Sequence, residues 1–343
     1  MNLTILSKKI SLKFILISVI LTNIITYYFI TNEERLKSDK TIATLHSELN
    51  NSSPSSCSYK VKRLAGFNYI NPILFVDNEC ESDKLNTIKQ SVSSLIDNYK
   101  KDGIINSASL YIKEFNENGW TGINTDEKYF PGSLMKIPML FTFLKEEEEN
   151  PGYLNKEIAF TEAFNSVKKT QYKSKSITLG QKYSIRELLN YMIVYSDNDA
   201  TSLLYAQMNL NKYKKVFTDL GLQAPDLDSL NHTMTAREVS YFMRVLFNAA
   251  YLNDINSEFA TVLLQKCNFK EGIVSRLPNT VKVAHKYGES GNQIEQQLNE
   301  TAIVYLENNP YVITVMTKGR DYKLLPQVMS EISRIVYQNM VNN

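Results

Sequence analysis

Three short clusters of reactive side chains stand out in this chain of 343 residues. The first is Ser133-Leu134-Met135-Lys136, directly after Phe130-Pro131-Gly132. A serine hydroxyl is a weak nucleophile until a neighbouring base takes its proton. A lysine can be that base once burial and nearby positive charge lower its proton affinity. Pro-Gly-Ser is a reasonable helix start, and a separation of three places Ser133 and Lys136 on one helical face. The same S-x-x-K spacing recurs at Ser166 and Lys169, in a polar, Lys-rich stretch where it reads as accidental.

The second cluster, Ser196-Asp197-Asn198, follows the apolar helical run from Ile185 to Val194. Read alone it is a helix-terminal turn, which these residue types favour. Read as chemistry, Ser196 relays a proton to a leaving group and Asn198 holds a substrate amide. The third cluster, His285-Lys286-Tyr287-Gly288-Glu289, ends an expected strand. Lys286 there would hold a substrate carboxylate and lower the proton affinity of the catalytic groups, and Gly288 would let a substrate backbone approach the strand edge. Read alone it is an exposed strand end with a turn glycine. Together, the three in this order and these contexts point to acyl transfer through Ser133.

The elements that must position them are legible as periodicities. Leu85, Ile88, Val92, Leu95, Ile96 and Tyr99 recur at helical spacing until Gly103. Ala108–Phe115 and Trp120–Ile123, separated by Asn-Glu-Asn-Gly, predict a β-hairpin. A largely helical middle runs from about 133 to 269. Val281–Lys286, Glu300–Leu306 and Tyr311–Thr317 read as three strands, and a helix over 325–342 closes the chain. Strands at both ends with helices between predict an α+β fold: one antiparallel sheet built by both chain ends, plus a helical subdomain. Before it, 58–83 reads as an N-terminal extension with short strands at Tyr59–Lys62 and Ile73–Val76.

Residues 1–13 carry Lys8, Lys9 and Lys13 and precede the uncharged run 14–30. Seventeen residues at about 1.5 Å rise just reach across a hydrocarbon core of roughly 30 Å. No small-residue cleavage site follows, so an uncleaved transmembrane signal-anchor is expected. Arg35, Lys37 and Lys40 balance the leader's charge, so the basic leader, rather than charge asymmetry, places the bulk of the chain outside the cell membrane. The polar stretch 31–57 reads as a stalk. Cys57, Cys80 and Cys267 are too few for a disulfide scaffold. A Cys57–Cys80 bridge with Cys267 free, and three unpaired thiols, are both open.

A net charge of +2 gives no electrostatic support to a nucleic-acid partner. The absence of a Gly-rich loop argues against a nucleotide cofactor. His46, His232 and His285 are too scattered for a metal site, so neither metal nor cofactor is expected. Glu146–Glu149 reads as a solvated helix end, and Trp120 and the 21 tyrosines as structural aromatics.

This set of motifs resembles the class A β-lactamase and penicillin-binding protein superfamily. Tyr183–Leu189 leading into Ser-Asp-Asn-Asp-Ala-Thr-Ser-Leu-Leu is similar to that family's helix pair, and Thr233–Glu238 to its Thr-rich helix start. The resemblance covers about 84–343 and implies a β-lactamase/transpeptidase-like serine hydrolase without cofactor. It implies that Ser133 is acylated, Lys136 is the general base and Ser196 the proton shuttle. Asn198 would bind the substrate amide and Lys286 its carboxylate, with the backbone N–H groups of Ser133 and Glu289 as oxyanion hole. The substrate implied is a β-lactam or a cell-wall-peptide-like amide. A D,D-peptidase and a slowly deacylating sensor ectodomain are the alternatives.

Two departures bear on turnover. The family's deacylating glutamate has no counterpart between Leu220 and His232, where the carboxylates are Asp226 and Asp228. Asp228 is the candidate substitute base, against the plainer reading as an exposed loop aspartate. Slow deacylation is expected without such a base. Tyr287 stands where the family has a small hydroxyl residue, which reshapes the carboxylate subsite.

Overall fold

The computed structural model describes residues 57–342 except 165–170, 173, 228, 230 and 293, together with a few positions between 28 and 37. The expected membrane span, most of the stalk, the Ser166–Lys169 repeat and Asp228 lie outside the described residues. None of the described helices is long and apolar enough to cross a membrane. The chain divides into two units, Met1–Cys57 and Ser58–Asn343, and the second holds every motif.

Its centre is a five-stranded antiparallel sheet in the order β4-β3-β9-β8-β7. The strands are β3 (Ile105–Glu114), β4 (Trp120–Ile123), β7 (Lys282–Gly291), β8 (Gln296–Tyr305) and β9 (Tyr311–Gly319). Strands from the two chain ends meet where β3 pairs with β9, Leu110 opposite Val315. Side chains alternate across the sheet with period two. Leu110, Ile112, Ile313 and Val315 face a layer of two helices, α1 (Asn86–Lys101) and the terminal α8 (Leu325–Asn342). Tyr111, Val312 and Met316 face the other way, into the helical subdomain. Leu85 precedes α1 as part of a short 3₁₀ turn, so the helix begins just after the first residue of its apolar series.

The subdomain comprises α2 (Lys136–Glu149), α3 (Ile185–Val194), α4 (Asn198–Gln207), α5 (Leu210–Asp219), α6 (Ala236–Phe247) and α7 (Asp254–Gln265). Ser184 and Thr235 each close a capping box, with Glu187 and Glu238, which sets where α3 and α6 begin. The acidic run at the end of α2 is not merely solvated. Glu146 and Glu149 pair with Lys212, Glu148 with Lys145, and Glu147 accepts the backbone N–H groups of Gly152 and Leu154.

The two short strands of the extension, β1 (Tyr59–Arg63) and β2 (Ile73–Asn78), pair antiparallel inside the second unit, a pairing the sequence reading did not give. Asp77 of β2 bridges Arg244, at 2.7 Å, and Arg237, at 3.2 Å, on α6. Arg244 is buried with its guanidinium 4.3 Å from the Phe75 ring centre, and Trp120 Nε1 donates to Asn78 O. Cys57 and Cys80 are disulfide-bonded, and Cys267 is a buried free thiol. Two further strands, β5 (Glu157–Ala159) and β6 (Lys182–Ser184), form a small ribbon.

Candidate active site

The segment before Ser133 is fixed from the sheet side. Phe130 N donates to Gln297 Oε1, and Phe130 O accepts from Asn299 Nδ2 of β8 and Ser290 Oγ of β7. Gly132 then turns at φ +57° in a left-handed conformation that costs a glycine nothing. Ser133 lies in a 3₁₀ turn over Gly132–Met135, and Lys136 is the first residue of α2. The sequence reading placed both on one helix; the tighter turn arises because the chain has to clear β7. A Cβ on Gly288 would sit 2.8 Å from the backbone nitrogens of Ser133 and Leu134, and one on Gly132 would strike the Glu289 carbonyl. The Gly288–Glu289 backbone is thus seated against the serine turn. Gly288 and Glu289 lie within β7, which runs on to Gly291, rather than at a strand end.

Ser196, Asp197 and Asn198 form the joint between α3 and α4. Tyr195 caps α3, and Ser196 is left-handed at φ +54°, a conformation costing a non-glycine residue of order 1 kcal/mol or more. Asp197 holds the joint: its carboxylate accepts the N–H groups of Asp199, Ala200 and Ile177, and its own N–H donates to Tyr191 O. The strained Ser196 is therefore fixed by its neighbours.

Lys136 and Lys286 converge on Ser196 from opposite sides. Lys136 Nζ donates to Ser196 O at 2.7 Å and Asn198 Oδ1 at 2.8 Å, and lies 3.3 Å from Ser196 Oγ. Lys286 Nζ donates to Ser196 Oγ and to Tyr287 O, both at 2.9 Å. Both lysines are buried. Burial, then the charge of Lys286, holds the Lys136 amine well below its ordinary proton affinity, against the pull of Asp197 and Glu289. Burial lowers Lys286 to about 8, opposed by Cys267, Glu289 and Glu300. Burial and the neighbouring Lys286 charge thus favour the neutral amine at Lys136, the form a general base needs. Proton removal from a hydroxyl and its return through Ser196 are the chemistry such a pair can do.

Lys136, Ser196, Asn198 and Lys286 lie together, and the Gly288 and Glu289 backbone lies against Ser133 and Gly132 respectively. Two further features were not read from sequence. Tyr287 is buried: its ring stacks on Phe269 with centroids 4.3 Å apart, meets Tyr172 edge-on, and lies 4.3 Å from Lys286 Nζ. Burial pushes its phenol above the ordinary range, and a hydrogen bond with Ser196 works against that. A segment at 171–177 also lies along the mouth of the site. Gln171 N donates to Glu289 Oε2, Tyr172 OH to Tyr322 O, and Ser174 Oγ to Tyr195 O. Tyr172, Phe269, Tyr287 and Tyr322 line a cavity of about 480 Å³ there. An aromatic followed by small polar residues carries no periodic signal, and this segment is recognisable only through its contacts. His285, on the neighbouring strand position, is buried and paired with Glu300 at 2.7 Å. Of the carboxylates between 220 and 232, Asp226 is exposed.

Comparison with known proteins agrees with this geometry. Residues 87–340 match the family model described as the β-lactamase enzyme family. No curated protein sequence matches the chain. Among solved structures, a class A β-lactamase from Bacteroides cellulosilyticus DSM 14838 superposes with a TM-score of 0.66 at 18% identity, covering 77% of this chain and 100% of that one. A class A β-lactamase from Mycobacterium abscessus gives 0.61 at 21% identity, covering 74% and 99%. A mutant of PBP-A, as its acyl-enzyme complex with penicillin G, gives 0.63 at 19% identity, covering 76% and 98%. At these identities the likeness is one of fold.

Proposed function

The chain belongs to the β-lactamase enzyme family, and on that premise we propose that it is a serine acyl-transfer enzyme whose nucleophile is Ser133. The neutral Lys136 amine takes the Ser133 hydroxyl proton as Oγ attacks an amide or lactam carbonyl. The oxyanion that forms is met by the backbone N–H groups of Ser133 and Glu289, and one such donor is typically worth about 3–4 kcal/mol. The carbonyl–nitrogen bond then breaks, and Ser196 delivers a proton to the departing nitrogen. Lys286 replenishes that hydroxyl and keeps Lys136 deprotonated. Asn198, already bonded to Lys136, orients the substrate amide.

The observation that carries this reading is the convergence of both buried lysines on Ser196, with the Gly288–Glu289 backbone seated on the Ser133 turn. The substrate class is a β-lactam or a cell-wall-peptide-like amide, and PBP-A, whose mutant forms an acyl-enzyme with penicillin G, supports the choice of penicillin as probe. The partners contacting Lys136 are Ser196 and Asn198 oxygens, none a carboxylate, so acylation outpaces hydrolysis of the acyl-enzyme. We also propose an extracytoplasmic domain on an N-terminal membrane anchor; the disulfide-bonded Cys57 and Cys80 favour an oxidising compartment.

The test is intact-mass spectrometry of the full-length protein after incubation with penicillin G. A lasting adduct equal to one penicillin on wild type, and none on Ser133→Ala, is the expected result. An equal adduct on both proteins would refute Ser133 as nucleophile.

A further inference from the structure

Lys286 cannot receive a substrate carboxylate as it stands. It has no exposed surface, and its ammonium already donates to Ser196 Oγ and Tyr287 O while lying over the Tyr287 ring. A carboxylate entering there would lose its water and meet an ammonium with two of its three N–H donors already taken, an unfavourable exchange in a protein interior. Tyr287 is not free to swing aside, because Phe269 stacks on one face and Tyr172 abuts its edge. A backbone donor beside it, Gln171 N, is taken by the Glu289 carboxylate. That carboxylate also places a negative charge near Lys286, Tyr172 and Tyr287, where it would oppose an entering anion.

Beside this closed position the cavity of about 480 Å³ remains, walled by Tyr172, Phe269, Tyr287 and Tyr322. Lys270, Lys323 and Glu271 also line it, so its charges are mixed rather than uniformly basic. Aromatic faces with balanced charge suit an uncharged, flat or amide-bearing group.

Resting on the serine acyl-transfer reading, we propose that Tyr287 is a specificity-determining residue that selects acyl donors whose leaving group carries no carboxylate, such as an amidated peptide or an ester. The leaving group lies on the aromatic wall, and anionic donors, common penicillins among them, acylate the enzyme slowly.

The experiment uses two thioesters with one acyl group, the leaving thiol ending in a carboxylate in one and in its primary amide in the other. Attack by Ser133 forms the serine ester and releases the thiol, which is followed with a thiol-reactive chromogen on the full-length protein. Wild type is expected to favour the amide by about tenfold or more in kcat/KM, the size of discrimination that one unfavourable polar contact brings. Tyr287→Ser is expected to remove that preference, chiefly by lowering KM for the carboxylate, while Tyr287→Phe, which keeps the ring, retains it. A wild type favouring the carboxylate, or a Tyr287→Ser ratio equal to that of wild type while Tyr287→Phe is active, overturns the inference but leaves the serine reading intact. Thiol release by Ser133→Ala at the wild-type rate overturns the serine reading itself, and the inference falls with it.

Discussion

Replacing Lys286 with methionine should stabilise the protein at neutral pH while disabling it. Burial lowers this lysine from its ordinary 10.5 to about 8, which at about 1.4 kcal/mol per factor of ten means a cost of roughly 3 kcal/mol for holding the charged form in place. Methionine fills a similar volume without that cost. It forfeits the hydrogen bonds to Ser196 Oγ and Tyr287 O, a loss of about 2 kcal/mol at about 1 for each. A net gain of about 1 kcal/mol remains, or roughly 1–2 °C in Tm for a chain of this size. The gain has a definite pH window. Below about pH 8 the lysine is charged in both folded and unfolded chains, and the whole cost is present. Between about 8 and 10.5 the folded protein has released a proton that the unfolded chain still binds, so wild-type stability rises with pH and the variant's advantage shrinks. Thermal melts of both proteins at pH 6, 7.5, 9 and 10.5, followed by circular dichroism, measure this directly. A variant that melts below wild type at pH 7.5, or that keeps the same advantage at pH 10.5, would show that burial of the Lys286 charge is not what lowers its proton affinity. The same substitution removes one of the two influences that keep Lys136 neutral, so any residual acylation should shift its acid limb to higher pH.

Two other substitutions probe positioning. Gly288→Ala places a methyl group against the Ser133 and Leu134 amides and should lower the penicillin acylation rate by about a hundredfold, the scale of losing an oxyanion donor; an unchanged rate by intact mass would mean β7 does not supply that donor. Asp77→Asn leaves the buried Arg244 without its ion pair and should cost about 3–5 kcal/mol, seen as a lower urea midpoint; a midpoint equal to wild type would mean that the Asp77–Arg244 pair does not stabilise the fold.

The sequence made the sheet and the three motifs legible for a physical reason: each rests on local pattern. Strand alternation, helix caps at Ser184 and Thr235, and the spacing of Ser133 and Lys136 depend on neighbours within a few residues. What escaped depends on tertiary contact. Nothing local says that β7 continues past Gly288 to Gly291, because its last residues are aligned by pairing with Gln296–Asn299. Nothing local ties Gln171 and Tyr172 to Glu289 and Tyr322, more than a hundred residues away. Asp77 gave no sign that a short acidic strand end would dock on two arginines of α6. Tyr287 was visible as a departure, but its burial under Phe269 and over Lys286 is a property of the packed site.

The same accounting of contacts separates the two halves of the reaction. Acylation needs a neutral base, and burial beside Lys286 favours that form of Lys136. Release of the acyl group by water needs a second base with spare capacity. The carboxylates whose charge reaches Lys136 are Asp197 and Glu289. Asp197 accepts three backbone N–H groups that hold the Ser196 joint in its strained form, and protonating it to activate water would release that joint. Glu289 is occupied by Gln171 N at the mouth of the cleft. Each carboxylate is therefore committed to shaping the site. On the proposed serine acyl-transfer reading, the expected outcome is an acyl-enzyme that forms faster than it is hydrolysed, seen as a penicillin G adduct that persists on wild type.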